Sequence, residues 1–384
     1  MCSARSATSS LRLVPELRSV HLERHERFGS GRLLYLSEKY DLGGLQLPPG
    51  IEKVTLRGAV RAAWRSDADV FEVPEPLWIR FLPALALLVL SWRIGGALRG
   101  RRRTTVTYAM ELAPLATLLG GGRRVPRWLV RSAAFLIGAF TAASFDRIGF
   151  ATPASRDLYR SLPFVGRVRS RLVLELPAPA RGVERGAGLR TAAAADVAFV
   201  GLLAPRNGVR VLMRAWEIVE RARPDVALVV IGGGDLECEV SGWAARRPAS
   251  RIATGQLPRT VAVATLAEVP VLAAPSIPDG RWIEQVGLPI KEALSQGCTV
   301  VTTRQTGLAD WLDVHGHRVL AVDGGLVDSL ARALLDAMSD PLPRADVLDS
   351  LPDVEGRECS QAWLHAVNVH VTCEILHGSG VAVA

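Results

Sequence analysis

Two glutamates, Glu284 and Glu292, stand eight positions apart in the stretch EQVGLPIKEALSQG, with Gly287 and Pro289 between them. Residues 288–296 read as a helix, because Pro289 suits its first turn and Gly297 its end. Ile290, Ala293 and Leu294 then fall on one face, Glu292 lies roughly opposite, and Glu284 sits in the preceding loop. The N–H groups of Val286, Gly287 and Leu288 are free at the helix start, where the dipole is positive. That position suits an anion, and Gly287 lets a phosphate approach closely. A carboxylate on either side of a phosphate cannot grip it. Each is better placed to accept hydrogen bonds from hydroxyls at the two ends of one ligand. A sugar and a ribose joined by a diphosphate has that shape. The competing reading of the same residues is an ordinary solvated helix start.

The surrounding chain supplies the frame. With 384 residues, two domains are expected, and 49% hydrophobic against 22% charged residues describes a folded protein. In the second half, DVAFVGLL, VALVVIGGG, RIATGQL, VPVLAAPS, CTVVTT and GHRVLAV are short apolar strands. Helical segments such as VRVLMRAWEIVERARP and GLVDSLARALLDAM lie between or after them. Strands alternating with helices indicate a parallel sheet covered on both faces. In the first half RLLYLS, KVTLRG, DVFEVPEP, TTVTYAME, DRIGFATP and RLVLELP fit the same plan. Residues 177–195, rich in Pro, Gly and Ala, read as the linker. The expected division is residues 1–180, 181–340 and a helical tail at 341–384 that crosses back to the first domain. Two such domains leave a cleft at the carboxyl ends of their strands, where open α/β sheets bind ligands.

A family is then recognisable. Pro275-Ser276, Glu284, Gly287-Leu288-Pro289-Ile290, Glu292-Ala293-Leu294, Gly297 and Val300-Val301, in that order, resemble the E-x7-E signature of family-4-like retaining glycosyltransferases of the GT-B fold. The loops from Gly201 to Gly208, from Gly232 to Asp235 and at Thr254-Gly255 stand where that family has its other glycine loops. The resemblance covers roughly residues 195–340 and is only architectural before them. It implies an α/β chain of two Rossmann-like domains, the C-terminal one binding the donor and the N-terminal one the acceptor. It implies Glu284 as the catalytic residue, holding the donor sugar's hydroxyls. Backbone amides near Gly287 and Leu288 would face the distal phosphate, and Glu292 would bind the ribose. Gly201, Arg206 and Gly233 would be further donor-binding positions. The implied reaction moves a hexose from a nucleoside-diphosphate sugar to a hydroxyl acceptor such as a glycan or glycolipid. Anomeric configuration would be retained, with no metal and no cofactor, in surface polysaccharide or glycolipid synthesis.

Two positions depart from the pattern. The family's first loop carries an Arg and a Lys that grip the diphosphate; here Leu202 and Asn207 replace them. Losing one such donor costs about 2.7–4 kcal/mol of transition-state stabilisation, whereas a helix dipole supplies only about 0.3–2 kcal/mol. Arg206, or an Arg of the other domain, is the expected substitute. The departure leaves two rivals: a non-catalytic nucleotide-sugar-binding partner subunit, and a sugar-nucleotide epimerase of the same fold. The family also places a His after its fourth strand, and residues 105–114 offer Tyr108 and Glu111 instead as acceptor-side candidates.

Other signals bound the reading. All but three of the 46 basic residues are Arg (the exceptions are Lys39, Lys53 and Lys291), and the net charge is +8. From Arg80 to Arg131 there are ten Arg against one acidic residue, Glu111, interleaved with Trp92 and Trp128. Such a region suits a peripheral contact with anionic lipid; no motif that reads nucleic acid accompanies it. FLPALALLVLSW, at 81–92, is too short to span a bilayer and reads as a buried helix. His21 and His25 share one helix face without a third ligand, so an Arg-rich exposed face is the better reading. Five scattered cysteines and a polar N-terminus point to a cytoplasmic chain at the inner face of the membrane.

Overall fold

The computed structural model describes residues 9–28, 31–39, 47–121, 123–180, 195–280 and 282–366. Most of the expected linker lies outside them. The N-terminal domain runs β1 (Ser10–Leu17), α1 (Ser19–Phe28), β2 (Arg32–Glu38), β3 (Ile51–Lys53), α2 (Leu56–Arg65), β4 (Val70–Glu72), α3 (Leu82–Ala97), β5 (Thr104–Ala109), α4 (Leu115–Gly120), α5 (Arg127–Ser144), β6 (Arg147–Phe150), α6 (Pro153–Arg160) and β7 (Arg169–Leu172). The C-terminal domain runs β8 (Val197–Val200), α7 (Val209–Ala222), β9 (Leu228–Ile231), α8 (Glu237–Ala244), β10 (Arg251–Gly255), α9 (Arg259–Glu268), β11 (Val271–Ala274), α10 (Leu288–Ser295), β12 (Thr299–Thr303), α11 (Ala309–Val314), β13 (Arg318–Leu320) and α12 (Leu326–Ser339). Two further helices, α13 (Arg344–Asp349) and α14 (Gly356–His365), close the described chain.

Both sheets are parallel. Their orders are β3-β2-β1-β4-β5-β6-β7 and β10-β9-β8-β11-β12-β13. Each order reverses once, between β1 and β4 and between β8 and β11, where Val271 stands opposite Val197. Crevices open at such reversals. The C-terminal reversal gathers the loop after Val200 and the segment leading from Ala274 to α10.

Short apolar strands form the sheets because both faces are covered. Val197, Leu228, Val271 and Val300 are fully buried, with Trp216 of α7 on one side and Ile290 and Leu294 of α10 on the other. In the N-terminal domain Phe71, Trp92 and Leu85 fill the equivalent space. α14 returns to the first domain and packs on β5 and β6. There Leu364 is buried, and Arg147 donates to the carbonyl oxygens of Trp363 (3.1 Å) and Leu364 (2.9 Å).

Four expectations change. The central strand β1 was not expected, since SLRLVPEL carries an Arg, a Pro and a Glu; Arg12 is nonetheless buried, and burial lowers its guanidinium to about 10. KVTLRG is no strand: β3 ends at Lys53, and the Thr55 hydroxyl caps α2 by accepting from Gly58 N–H (3.1 Å). His25 is buried, not on an exposed face; Arg12 donates to its Nδ1, and its Nε2 meets the Pro49 carbonyl oxygen. α3 is buried on one side only, with Leu87, Leu90 and Ile94 exposed.

Candidate functional site

The glycine loops meet backbone to backbone. A Cβ on Gly232 would stand 1.8 Å from the Gly201 carbonyl oxygen, so no side chain fits there. Leu203 N–H donates to the Gly233 carbonyl (2.9 Å), which ties the loop after β8 to the loop after β9. Gly201 also faces Pro289, whose Cγ lies 3.9 Å from the position of a Gly201 Cβ. Gly201, Gly233 and the start of α10 therefore share one end of the sheet.

At that start Gly287 is the N-cap, with φ +84° and ψ 96°, a conformation a side chain would strain. No side chain caps the helix. Glu284 lies just upstream in a one-residue bridge to Thr306, and its own carbonyl accepts from Gly307 N–H (3.2 Å). Its carboxyl is pushed up by burial, and opposed by the N–H groups of Gly287 and Gln285 and by Arg206 and Arg18. Gly307 in turn abuts Thr152 and Leu112 of the N-terminal domain. Glu284 thus stands beside the interface between the domains.

Glu292 occupies another side of α10 and is buried with Lys291, because the N-terminal domain covers what would otherwise be a solvent face. It lines a cavity of about 490 Å³ between the domains, together with Leu288, Glu23, Lys291 and Arg259. Arg259 Nε donates to Glu292, and Arg259 Nη1 donates to Glu23 on α1. Burial raises the Glu292 carboxyl, and Arg259 opposes the rise. A second bridge lies nearby: Lys291 Nζ donates to Glu355 (2.6 Å) and Glu175 (3.2 Å). Burial alone would lower this ammonium, and the two carboxylates more than reverse it. A larger open groove of about 740 Å³, between α7 and residues 322–328, contains neither Glu284 nor Glu292.

The substituted first loop has a definite arrangement. Asn207 Nδ2 donates to the Leu202 carbonyl oxygen (2.7 Å), so its amide holds the loop rather than a ligand. Arg206 lies over the Trp282 ring at 5.2 Å, and its buried Nε has no hydrogen-bond partner. Arg206 is the loop's cation nearest in effect to Glu284, and Arg18, at the carboxyl end of β1, is its counterpart across the interface.

The two acceptor-side candidates separate. Tyr108 is buried beneath α14, with the Arg357 guanidinium 3.7 Å from its ring, so it is covered rather than open to an acceptor. Glu111 follows β5 and is half-buried, its Oε1 accepting from Leu112 (3.0 Å) and Ala113 (2.8 Å) N–H. Beside it stands Glu75, which the sequence did not disclose. Glu75 accepts from Met110 and Glu111 N–H and from Tyr159 OH (2.9 Å). Burial and the neighbouring Glu111 push its carboxyl up to about 7. Sequence spacing hides this pair, because the ends of β4 and β5 meet only in the folded sheet. Among the described residues, no group of three or more His, Cys, Asp or Glu is placed to hold a metal ion.

Two Rossmann-like parallel-sheet domains joined in this way make the fold GT-B. Residues 194–340 match the family described as Glycosyl transferases group 1. The chain is 30% identical over 143 residues to a GDP-mannose-dependent monoacylated alpha-(1-6)-phosphatidylinositol monomannoside mannosyltransferase of Corynebacterium glutamicum. That match takes in 37% of this chain and only 38% of the relative's length. It is 27% identical over 283 residues to a GDP-mannose-dependent alpha-(1-6)-phosphatidylinositol monomannoside mannosyltransferase of Mycobacterium tuberculosis, covering 69% of this chain and 67% of that one. HepE of Anabaena, solved with UDP and glucose, superposes over 92% of this chain and 95% of its own, with a TM-score of 0.60 and 13% identity.

Proposed function

We propose that the protein transfers a hexose from a nucleoside-diphosphate sugar to a hydroxyl acceptor, with retention of anomeric configuration. The observation that carries this reading is the open start of α10, uncapped and flanked by Glu284 and Glu292, against the Gly201 and Gly233 loops at the domain interface. The distal phosphate meets the Gly287 and Leu288 amides, Glu284 holds the sugar hydroxyls, and Glu292 binds the ribose once Arg259 yields it. Arg206, with Arg18 across the interface, supplies the positive charge that Leu202 and Asn207 lack. Glu111, steadied by Glu75, faces the acceptor. The relatives make GDP-mannose the first donor to try and a phosphoinositide-type glycolipid the first acceptor. The working place is the cytoplasm, at the inner face of the membrane, and no metal takes part.

The test is a thermal-shift screen of GDP-, UDP-, ADP- and TDP-sugars, followed by product analysis with a glycolipid acceptor. Donor-dependent product bearing the donor's anomeric configuration supports the proposal; inverted product, or donor affinity undiminished in a variant lacking both glutamates, overturns it. One observation favours a second reading, that of a donor-binding partner subunit: the Asn207 amide is spent on the Leu202 carbonyl. Tight donor binding without turnover or donor hydrolysis, unaffected by Glu284→Ala, would select it.

A further inference from the structure

α3 and α5 lie on one face of the N-terminal sheet, because β4, β5 and β6 are successive neighbours and right-handed crossovers put both connections on the same side. Each helix buries one stripe: Leu85, Leu88 and Trp92 from α3, Ile137 and Thr141 from α5. Each also turns apolar side chains to solvent. On and just after α3 these include Leu87, Leu90 and Leu98; on α5 they include Trp128, Phe135 and Leu136. Leu98, Trp128 and Leu136 are 72%, 68% and 67% exposed. A 16-residue helix is about 24 Å long, so two such stripes make a face on the order of several hundred Å², the size that marks an interaction surface.

The charge around this face says what covers it. Arg80, Arg123, Arg124, Arg127 and Arg131 are exposed, and none forms an ion pair among the described residues. By contrast, Arg93 pairs with Asp146 and Arg101 with Asp67. Between residues 80 and 145 the only acidic side chain is Glu111, whose Oε1 is bound to its own loop. The five arginines gather at one end of the two helices. Both helices follow the carboxyl ends of β4 and β5, the edge that also carries Glu75 and Glu111. No described helix is long and apolar enough to cross a membrane, so the stripes suit a surface.

We propose that the α3–α5 face docks onto a bilayer bearing anionic headgroups, with the apolar stripes entering the interface and the five arginines holding phosphates. A second copy of the chain is the weaker occupant, because a twofold pairing would set the same unpaired positive charges against each other. The docked orientation puts the acceptor edge of the cleft next to the lipid. Only this last point, that the acceptor comes from the membrane, rests on the transfer reading.

Co-sedimentation with phosphatidylcholine vesicles, with and without phosphatidylglycerol, tests the docking. Wild type should bind the anionic vesicles at least about tenfold more tightly than the neutral ones, and lose that margin in high salt. The doubly substituted Trp128→Ser/Leu136→Ser and Arg123→Glu/Arg124→Glu proteins should each bind at least about tenfold more weakly. All four positions are exposed, so an unchanged Tm and an unchanged donor-induced thermal shift confirm that the variants are folded. Equal binding by wild type and both variants would overturn the proposal. So would a wild-type dimer that Trp128→Ser/Leu136→Ser dissolves without lipid. Docking that persists in a protein showing no donor-induced shift would leave the surface standing and remove the transfer reading instead.

Discussion

Arg259 holds Glu292 in an ion pair and, through its other nitrogen, reaches Glu23 in the opposite domain. The carboxylate proposed to bind ribose is therefore engaged by a cation that also ties the domains together. Burial works against the Arg259 charge, yet its two carboxylates raise its affinity for the proton overall, so it stays charged at any working pH. On the proposed reading, a ribose entering this cavity replaces Arg259 on Glu292, and Arg259 keeps its contact with Glu23.

Replacing Glu292 by Ala removes hydrogen bonds to a charged group worth about 1.5–3 kcal/mol each. Calorimetric titration with the stabilising donor should show affinity falling by about tenfold or more. Nucleotide affinity that stays unchanged would place the ribose elsewhere.

Glu284→Gln should separate binding from chemistry. The free nucleoside diphosphate should bind as in wild type, because the proposed role of Glu284 is toward the sugar alone. The rate of transfer should fall by about 100-fold or more, as when one preorganised polar contact is lost. Weakened binding of the free diphosphate with normal transfer would assign Glu284 to the wrong end of the donor.

Arg206 carries the loop's remaining charge, stacked on Trp282 with an unpartnered Nε. Arg206→Ala should lower kcat by about 100-fold to 1,000-fold. Asn207→Lys should raise it, although the amide's bond to Leu202 is lost with the change. A fully active Arg206→Ala protein would shift the role to Arg18 or to the helix start alone.

Glu75 should write a signature into the pH dependence of stability. Its folded carboxyl, at about 7, lies above its unfolded value, so its contribution is full below the unfolded pKa and is lost as pH rises through about 7. Glu75→Gln cannot ionise. Its Tm minus the wild-type Tm should therefore climb between about pH 5 and pH 8. A flat difference would mean that Glu75 titrates normally.

Glu72 answers for the packing of α14. It accepts from Arg24 (2.8 Å), Arg357 (2.9 Å) and His365 (2.9 Å), which together overcome its burial and hold it well below the usual carboxylate range. Glu72→Ala leaves Arg24 and Arg357 without this counter-charge and should cost about 3–5 kcal/mol in chemical denaturation. A loss below about 1 kcal/mol would show that the cluster is solvated.

The C-terminal domain was legible in the sequence because its strands are continuous apolar runs punctuated by glycines that structure demands, such as Gly232 against the Gly201 carbonyl. The α10 region was legible for a similar reason: Gly287, Pro289 and the two glutamates each carry a local signal. The N-terminal domain hides its logic in pairings. β1 reads as polar because Arg12 is neutralised only by partners far along the chain, including Glu72, and α2 was misread because Thr55 caps a helix whose first residues, Leu-Arg-Gly, look like a strand end. Glu75 and Glu111 lie 36 residues apart and acquire meaning only when β4 and β5 pair. The covering of Tyr108 by Arg357 depends on α14 crossing back, which strand periodicity at residue 108 cannot reveal.

The most direct measurement is a crystal structure with the stabilising nucleotide sugar bound. The account predicts the distal phosphate within hydrogen-bonding distance of the Gly287 and Leu288 amides, the sugar hydroxyls on Glu284, and the ribose on Glu292 in place of Arg259. A nucleotide bound away from α10, with the Arg259–Glu292 pair intact, would contradict it.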